Sequence, residues 1–347
     1  MKNLIPSIAS RGIGVDLLHV RKHGPYLDNV PDNVRVIDLG VSNTVPAFFP
    51  VMRYLRKNKP DVLLSDKDKV NRLAYLATKF TGVDTRLVFR MGTTVSNDLA
   101  TCGKFKQWTH YRSMHHLYPK VSTVIVPSLG VANDMAEFAK ISVDDITVVH
   151  NPIVTPSFLE KMKDSTDHPW FGQTDIPVIL GVGELTRRKG FDVLLKAFAQ
   201  TLAQRPCRLV ILGKGKALSE LTSLSESLGI TDFVDFLGFQ DNPSKYMKAA
   251  ELFVSASTHE GFGNVIVEAM AAGTPVVATD CPSGPREILK DGRLGRLVPV
   301  NDVDAMAQAI THMLIDPTPQ DVLADAMHEY HIDTITDQYL AALGIHY

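Results

Sequence analysis

Cysteine is scarce in this chain. Only Cys102, Cys207 and Cys281 occur in 347 residues, with no paired spacing. That pattern excludes a disulfide framework and a thiolate zinc site, and it suits a reducing cytoplasm. Long apolar runs are missing too: no stretch approaches the ~18 to 20 residues that would span a bilayer. The opening Met1-Lys2-Asn3-Leu4-Ile5-Pro6-Ser7 lacks an extended apolar segment, so no secretory leader is expected. Arginine-rich runs and interleaved aromatic motifs are absent, which argues against a nucleic-acid partner.

What is present is an ordinary globular composition, 45% apolar and 21% charged, in a chain long enough for two cores. The net charge of −2 hides an uneven spread. Residues 1–152 carry a balance of +7 and the remainder a balance of −9. A basic half points either to an anionic partner, an anionic membrane face or an anionic glycolipid, or to scattered solvated lysines on helices. The expected location is therefore cytoplasmic, with peripheral contact at the inner membrane face.

Short β-rich runs alternate with helical patterns, which implies parallel sheets and an α/β fold. The first half reads as strands near 15–20, 34–38, 62–65, 87–89, 123–126 and 146–149. Helices are expected near 46–57, 70–80 and 131–139, with 97–118 helical as well. Asn151-Pro152 breaks the pattern, and a proline-containing linker is expected as far as Pro177. The second half restarts with strands at 178–182, 209–212, 234–236, 251–256 and 275–278. Its helices are expected at 191–204, 218–228, 243–249, 303–315 and 324–343. The front is unusual: a doubly wound domain opens with a strand and turn, but this chain opens on what reads as a helix tail ending at Gly12. Either the first domain lacks its opening strand or its true start lies upstream of Met1.

The chemistry concentrates between Ser257 and Arg286. Glu260 and Glu268 stand eight positions apart around a helix start, after an apolar strand. Open α/β sheets place ligands at the carboxyl ends of their strands. Gly261 and Gly263 leave the backbone bare, so amides at the helix start can face an anion. Two carboxylates around such a start suit a ligand with a diphosphate and hydroxylated ends, as in a nucleotide sugar. Earlier, Gly181-Val182-Gly183-Glu184-Leu185-Thr186-Arg187-Arg188-Lys189-Gly190 follows a strand and opens a helix, a loop able to approach a phosphate with lysine supplying the charge.

The run from Glu260 to Glu268 resembles the E-x7-E signature of retaining family 4 glycosyltransferases of the GT-B fold. The following Asp280-Cys281-Pro282-Ser283-Gly284-Pro285-Arg286 resembles the branch that builds lipopolysaccharide cores and other bacterial surface glycans. The resemblance implies two Rossmann-like doubly wound parallel-sheet domains facing a cleft, from which this chain departs in that the first strand of its N-terminal domain reads as missing. An acceptor domain is expected over 1–155, with a helix at 333–347 crossing back to it, and a donor domain over 173–332. It also implies that Glu268 holds the ribose hydroxyls and Glu260 faces the donor sugar. Gly261, Phe262, Gly263, Asn264 and Val265 would contact that sugar. Lys189 matches the family's phosphate-binding lysine, but Glu184 stands where an arginine is usual; Arg187 or Arg188 could supply the missing charge. Gly183, Gly213 and Gly215 match the glycines near the nucleotide, and Phe239 and Gln240 the stretch bracketing the base.

On the acceptor side, the stretch after the strand at 87–89 has no histidine, where many relatives have one. Arg90 and Thr93 are the candidates there, with Ser128 on a later turn. His110, His115 and His116 are expected to pack or lie on the surface. Asp66-Lys67-Asp68 mimics a metal-binding D-x-D but stands in the wrong sheet context, so no metal or other cofactor is expected. The implied activity is a metal-independent, retaining hexosyltransferase moving a hexose or N-acetylhexosamine from a UDP-sugar to a glycan or glycolipid. A silent binding subunit and a nucleotide-sugar epimerase of the same fold are the alternatives.

Overall fold

The computed structural model describes residues 1–20, 30–100, 102–172 and 175–346. The expected start of the second domain at 173, position 101 of the expected helical stretch and the final residue lie outside these. The chain divides into two compact units, Met1–Pro152 with Ile332–Tyr347, and Ile153–His331.

The second unit is built on six parallel strands in the order β12-β11-β10-β7-β8-β9. These are β7 (Val178–Val182), β8 (Arg208–Leu212), β9 (Val234–Gly238), β10 (Leu252–Ser255), β11 (Val276–Thr279) and β12 (Arg296–Val298). β10 and β11 are buried along their whole length, as continuous apolar runs require in a sheet covered on both faces. The covering helices are α7 (Pro156–Lys161), α8 (Phe191–Leu202), α9 (Leu218–Ser227), α10 (Ser244–Ala249), α11 (Asn264–Ala271), α12 (Pro285–Ile288), α13 (Val303–Ile315) and α14 (Gln320–Ala326). Strand order turns back between β7 and β10. A doubly wound sheet opens a crevice at such a switch point, outside the carboxyl ends of its strands.

The first unit holds two separate parallel sheets. β1 (Val15–His19) pairs with β2 (Val34–Asp38), and β3 (Val62–Asp66) leads β4 (Arg86–Arg90), β5 (Thr123–Val126) and β6 (Ile146–Val148). The break falls between β1 and β3, where the 3-2-1-4-5-6 order of a doubly wound sheet seats its first strand. Its helices are α1 (Leu4–Ala9), α2 (Phe48–Asn58), α3 (Asp68–Thr81), α4 (Val95–Ala100), α5 (Lys104–Leu117), α6 (Leu129–Ala139) and α15 (Ile332–Leu343). α15 packs Ile335, Tyr339, Leu340 and Leu343 against Leu4, Ile8, Val88 and Ile125. Thr336 donates to Ser7 at 2.8 Å, and Arg11 pairs with Asp333 and Asp337 at 3.3 and 2.9 Å.

Three expectations are corrected. The helical stretch 97–118 is two helices, because Gly103 is extended at ψ 150° and restarts the chain as α5. The run 324–343 is likewise broken: His331 is extended and bridges to Val154, so a 3-10 turn and then α15 follow α14. The expected linker contains α7, started by Pro156 at the first helical position and by Thr155, whose hydroxyl accepts from the Phe158 amide at 3.1 Å. β12 escaped notice because it is a three-residue edge strand opening on an exposed arginine.

Candidate functional site

The loops after β7 and β10 flank the switch point and are tied directly to each other. The Thr258 amide donates to the Arg188 carbonyl at 2.8 Å, and the Thr258 hydroxyl adds a bond at 3.2 Å. Gly190 has φ +63°, and a Cβ there would stand 2.0 Å from the Ala256 carbonyl oxygen. Only glycine allows that approach. Across the other side, a Cβ on Gly213 would meet the Gly183 carbonyl oxygen at 1.8 Å, so the loops after β7 and β8 press equally close. The glycine positions read from the sequence are thus where three strand-end loops converge.

At that convergence lies Glu260, 8% exposed. Its Oε1 accepts from Lys189 Nζ at 2.5 Å and from Ser257 Oγ at 2.7 Å; its Oε2 accepts from Arg188 Nη1 at 3.2 Å. Burial alone would raise its pKa, but the charge and hydrogen bond of Lys189, with help from Ser257 and Arg188, hold it below the usual carboxylate range. The stem of Lys189 lies over Gly183, where a Cβ would stand 3.3 Å from Cδ and Cε. The same lysine acts on Glu268, on the second turn of α11. There burial wins: the carboxyl is pushed above its ordinary value, and Lys189 only offsets part of the rise. The two carboxylates thus have opposite dispositions.

The remaining donor-side candidates separate into two groups. Phe262 and Gly263 are buried, and Gly263 caps α11 with φ +101°. Gly261 accepts from Ser283 Oγ at 3.1 Å, while Asn264 is exposed and Val265 half-buried. Arg188 joins the cluster; Arg187 does not. Its side chain is 92% exposed and reaches only Glu220, at 4.0 Å. The intervening 3-10 turn, residues 187–189, points successive side chains in different directions. Glu184 is exposed.

Beyond Gly213 and Gly215, the exposed ring of Phe239 lies under Lys214 Nζ, 5.1 Å from its centroid. Gln240 turns inward, donating to the Leu237 carbonyl at 2.9 Å and accepting from Tyr246 at 3.3 Å. Lys214 and Ser257 were not singled out from the sequence. Lys214 sits inside the very G-x-G turn that was, and Ser257 lies three residues before Glu260 on the same loop; position relative to those motifs was the available signal. An open aromatic face beside a cation can stack a planar base, and the Lys189–Arg188 pair can meet an anion.

The first unit presents its candidates differently. Arg90 spends its guanidinium internally: Nη1 on both oxygens of Asp66 at 3.1 Å, Nε on Tyr339 at 2.9 Å and Nη2 on Asn151 at 2.8 Å. It is a hub of hydrogen bonds within the first unit. Ser128 is fully buried and caps α6 through the Val131 amide at 3.2 Å. Thr93 is exposed. Asp68 is taken up by Arg72 at 2.7 Å and His110 at 3.0 Å. Burial lowers the pKa of His110, Asp68 opposes this, and Arg72, Lys106 and Lys69 add to the lowering. His115 packs on Tyr111 and bonds the Ala139 carbonyl at 2.7 Å. His116 lies 5.2 Å from the His115 ring. Among the described residues no group of three or more His, Cys, Asp or Glu is placed to hold a metal ion.

Comparison with known proteins matches two family models: "Glycosyltransferase Family 4" over residues 1–155 and "Glycosyl transferases group 1" over 165–331. The 4-alpha-N-acetylgalactosaminyltransferase of Campylobacter jejuni acting on N-acetylgalactosamine-N,N'-diacetylbacillosaminyl-diphospho-undecaprenol is 34% identical over 250 residues, 72% of this chain and 66% of that one. The lipopolysaccharide core biosynthesis glycosyltransferase LpsE of Rhizobium meliloti is 36% identical over 175 residues, 49% of this chain and 50% of that one. The chain thus spans between half and two thirds of these relatives. Among solved structures, Anabaena HepE in complex with UDP superposes with a TM-score of 0.76 at 21% identity, covering 96% of this chain and all of that one.

Proposed function

Because the chain belongs to the family 4 glycosyltransferases of the GT-B fold, we propose that it is a retaining transferase. It moves a hexose or N-acetylhexosamine from a UDP-sugar to a glycan or glycolipid acceptor in surface-polysaccharide or lipopolysaccharide synthesis. The observation that carries this reading is the cluster of Lys189, Arg188 and Glu260 at the switch point of the second sheet, with Lys189 Nζ 2.5 Å from Glu260. The acceptor class follows those of the Campylobacter and Rhizobium relatives. UDP is the nucleotide named for the HepE structure.

In this reading Lys189 and Arg188, with the amides at the start of α11, meet the charge that grows on the departing diphosphate. No divalent metal is needed for that task. Glu260, held ionised and oriented by Ser257, aligns the sugar hydroxyls and stabilises positive charge developing at the anomeric carbon. Glu268 accepts from the ribose hydroxyls, and Phe239 stacks the base beside Lys214. The acceptor hydroxyl attacks the face the diphosphate leaves, so the anomeric configuration is kept without a covalent enzyme intermediate.

A second reading, a nucleotide-binding subunit without transfer, draws on the exposed Glu184 and on Arg90 being consumed by internal bonds. One experiment separates the two: purified protein is incubated with UDP- and GDP-sugars, with and without polyprenyl-diphosphate-linked saccharides, and free nucleoside diphosphate is measured. Release that depends on the acceptor supports transfer. Nucleotide binding without release supports the subunit, and no nucleotide binding defeats both.

A further inference from the structure

One helix of the first unit keeps almost none of its side chains inside. Of the 14 residues of α5, only Met114 is buried. A helix in a packed domain ordinarily buries one stripe, and one that stays wet on nearly every side serves something besides packing. Opposite Met114, the residues Phe105, Trp108, Arg112 and His116 follow one another at intervals of three and four, so they share one outward stripe. Phe105 is 77% exposed and Trp108 is 54% exposed. Their rings are stacked, with centroids 6.1 Å apart and planes 28° apart. The Arg112 guanidinium lies over the Trp108 ring, 5.7 Å from its centroid. At the helical rise the stripe runs for about 16 Å from Phe105 to His116, long enough for a chain of sugars.

Two large rings held face to face in water suit a ligand that is itself flat and apolar on one side. A pyranose has such a side: its C–H groups carry slight positive charge and pack on the electron-rich face of an aromatic ring. A bilayer calls for a different surface, with apolar residues on one face of the helix and cations on the other. Here Arg112 shares the stripe with the rings and covers one of them. Charge then narrows the ligand. α5 contains no acidic residue, and Lys104, Lys106 and Arg112 form no ion pair among the described residues. A neutral sugar would leave those cations unanswered. A sugar acid carries a carboxylate at the rim of its ring, which a guanidinium grips through two parallel hydrogen bonds.

We propose that the outer face of α5 binds an acidic oligosaccharide, its rings stacked on Phe105 and Trp108 and its carboxylates on Arg112, Lys104 and Lys106. For its part in catalysis the inference rests on the transferase reading, in which this saccharide is the acceptor. The binding itself needs neither donor nor transfer.

The test is a fluorescence titration of the full chain with hexagalacturonic acid and, in parallel, with neutral maltohexaose. Trp170→Phe leaves Trp108 as the one tryptophan, so its emission reports on this face directly. The expected result is a saturating change with hexagalacturonic acid, weakened by added sodium chloride and at least about tenfold weaker with maltohexaose. In that background Phe105→Ala should weaken binding by about tenfold, the order set by losing one stacked ring. Arg112→Ala should weaken it by about thirtyfold, and Arg112→Lys should recover only part of the loss. Both positions are exposed, so unchanged thermal melting shows that folding is not what was lost. No response to hexagalacturonic acid, equal responses to the two saccharides, or variants that titrate like the parent would overturn the proposal. A response to phosphatidylglycerol vesicles alone would overturn it as well and give the face to a lipid. Saccharide binding without acceptor-dependent release of UDP leaves the face standing and the transferase reading fallen; release without such binding does the reverse.

Discussion

The carboxyl edges of the two units' sheets carry similar residues put to opposite uses. In the second unit, glycines at 183, 190 and 213 let strand-end loops close to van der Waals contact, and Lys189, Arg188 and Glu260 come together beside Glu268. In the first unit, Arg90 and Asp66 stand at the ends of β4 and β3, yet each is closed on the other, and Tyr339 and Asn151 complete the shell. A charge cluster built on bare backbone keeps faces available to a ligand. One built on a carboxylate, a phenol and an amide completes itself and becomes part of the fold.

The sharpest way to break this contrast is to remove each side's central cation. Arg90→Ala leaves Asp66 and the Tyr339 hydroxyl without their partner in a largely buried place, so it should cost about 3 kcal/mol of folding stability, the order found for breaking buried pairs. Chemical denaturation measures it, and a loss below about 1 kcal/mol would contradict the structural weight given to this network. Lys189→Ala should instead act on turnover, lowering acceptor-dependent UDP release by roughly a hundredfold, the effect of losing one preorganised leaving-group contact. A rate within a few fold of the parent would remove Lys189 from the site.

The two glutamates sharpen the comparison within one site. Glu260 has a depressed pKa, so its contribution to stability is in place above the unfolded value of about 4.3 and is lost as pH falls through the lower folded value. Glu268 has a raised pKa, so the folded state is favoured when it is protonated, and that advantage fades as pH rises through the raised value. Glu260→Gln should therefore lower the melting temperature at neutral pH, whereas Glu268→Gln should leave it unchanged or raise it. The same direction for both would contradict the environments described. The smallest effect belongs to Arg187→Ala: its side chain lies in water, and neither stability nor UDP release should change measurably.

Where the sequence was legible, the backbone had to be glycine or the strands continuously apolar. Five of the six strands of the second sheet, the loop at 183–190 and the two glutamates all follow from local pattern. What was not legible depended on residues far apart in the chain. Tyr339 meets Arg90 across 249 positions, and nothing around either residue announces the other. Lys214 over Phe239 is of the same kind: each stood in a recognised stretch, but only folding set ring against cation. At Ser128 the structure adds a cap, its hydroxyl accepting from the Val131 amide. The helix breaks at Gly103 and His331 were hidden by apolar periodicity that continues through them.

The central claim is that Glu268 grips the nucleotide at the switch point of the second sheet while its burial is sustained at some expense to folding. Calorimetric titration of UDP into the parent and into Glu268→Gln tests it most directly. The account predicts measurable binding by the parent and a loss of ~1.5 to 3 kcal/mol in the variant, the worth of charge-assisted hydrogen bonds. Equal affinities for the two proteins, or no heat with the parent, would contradict it.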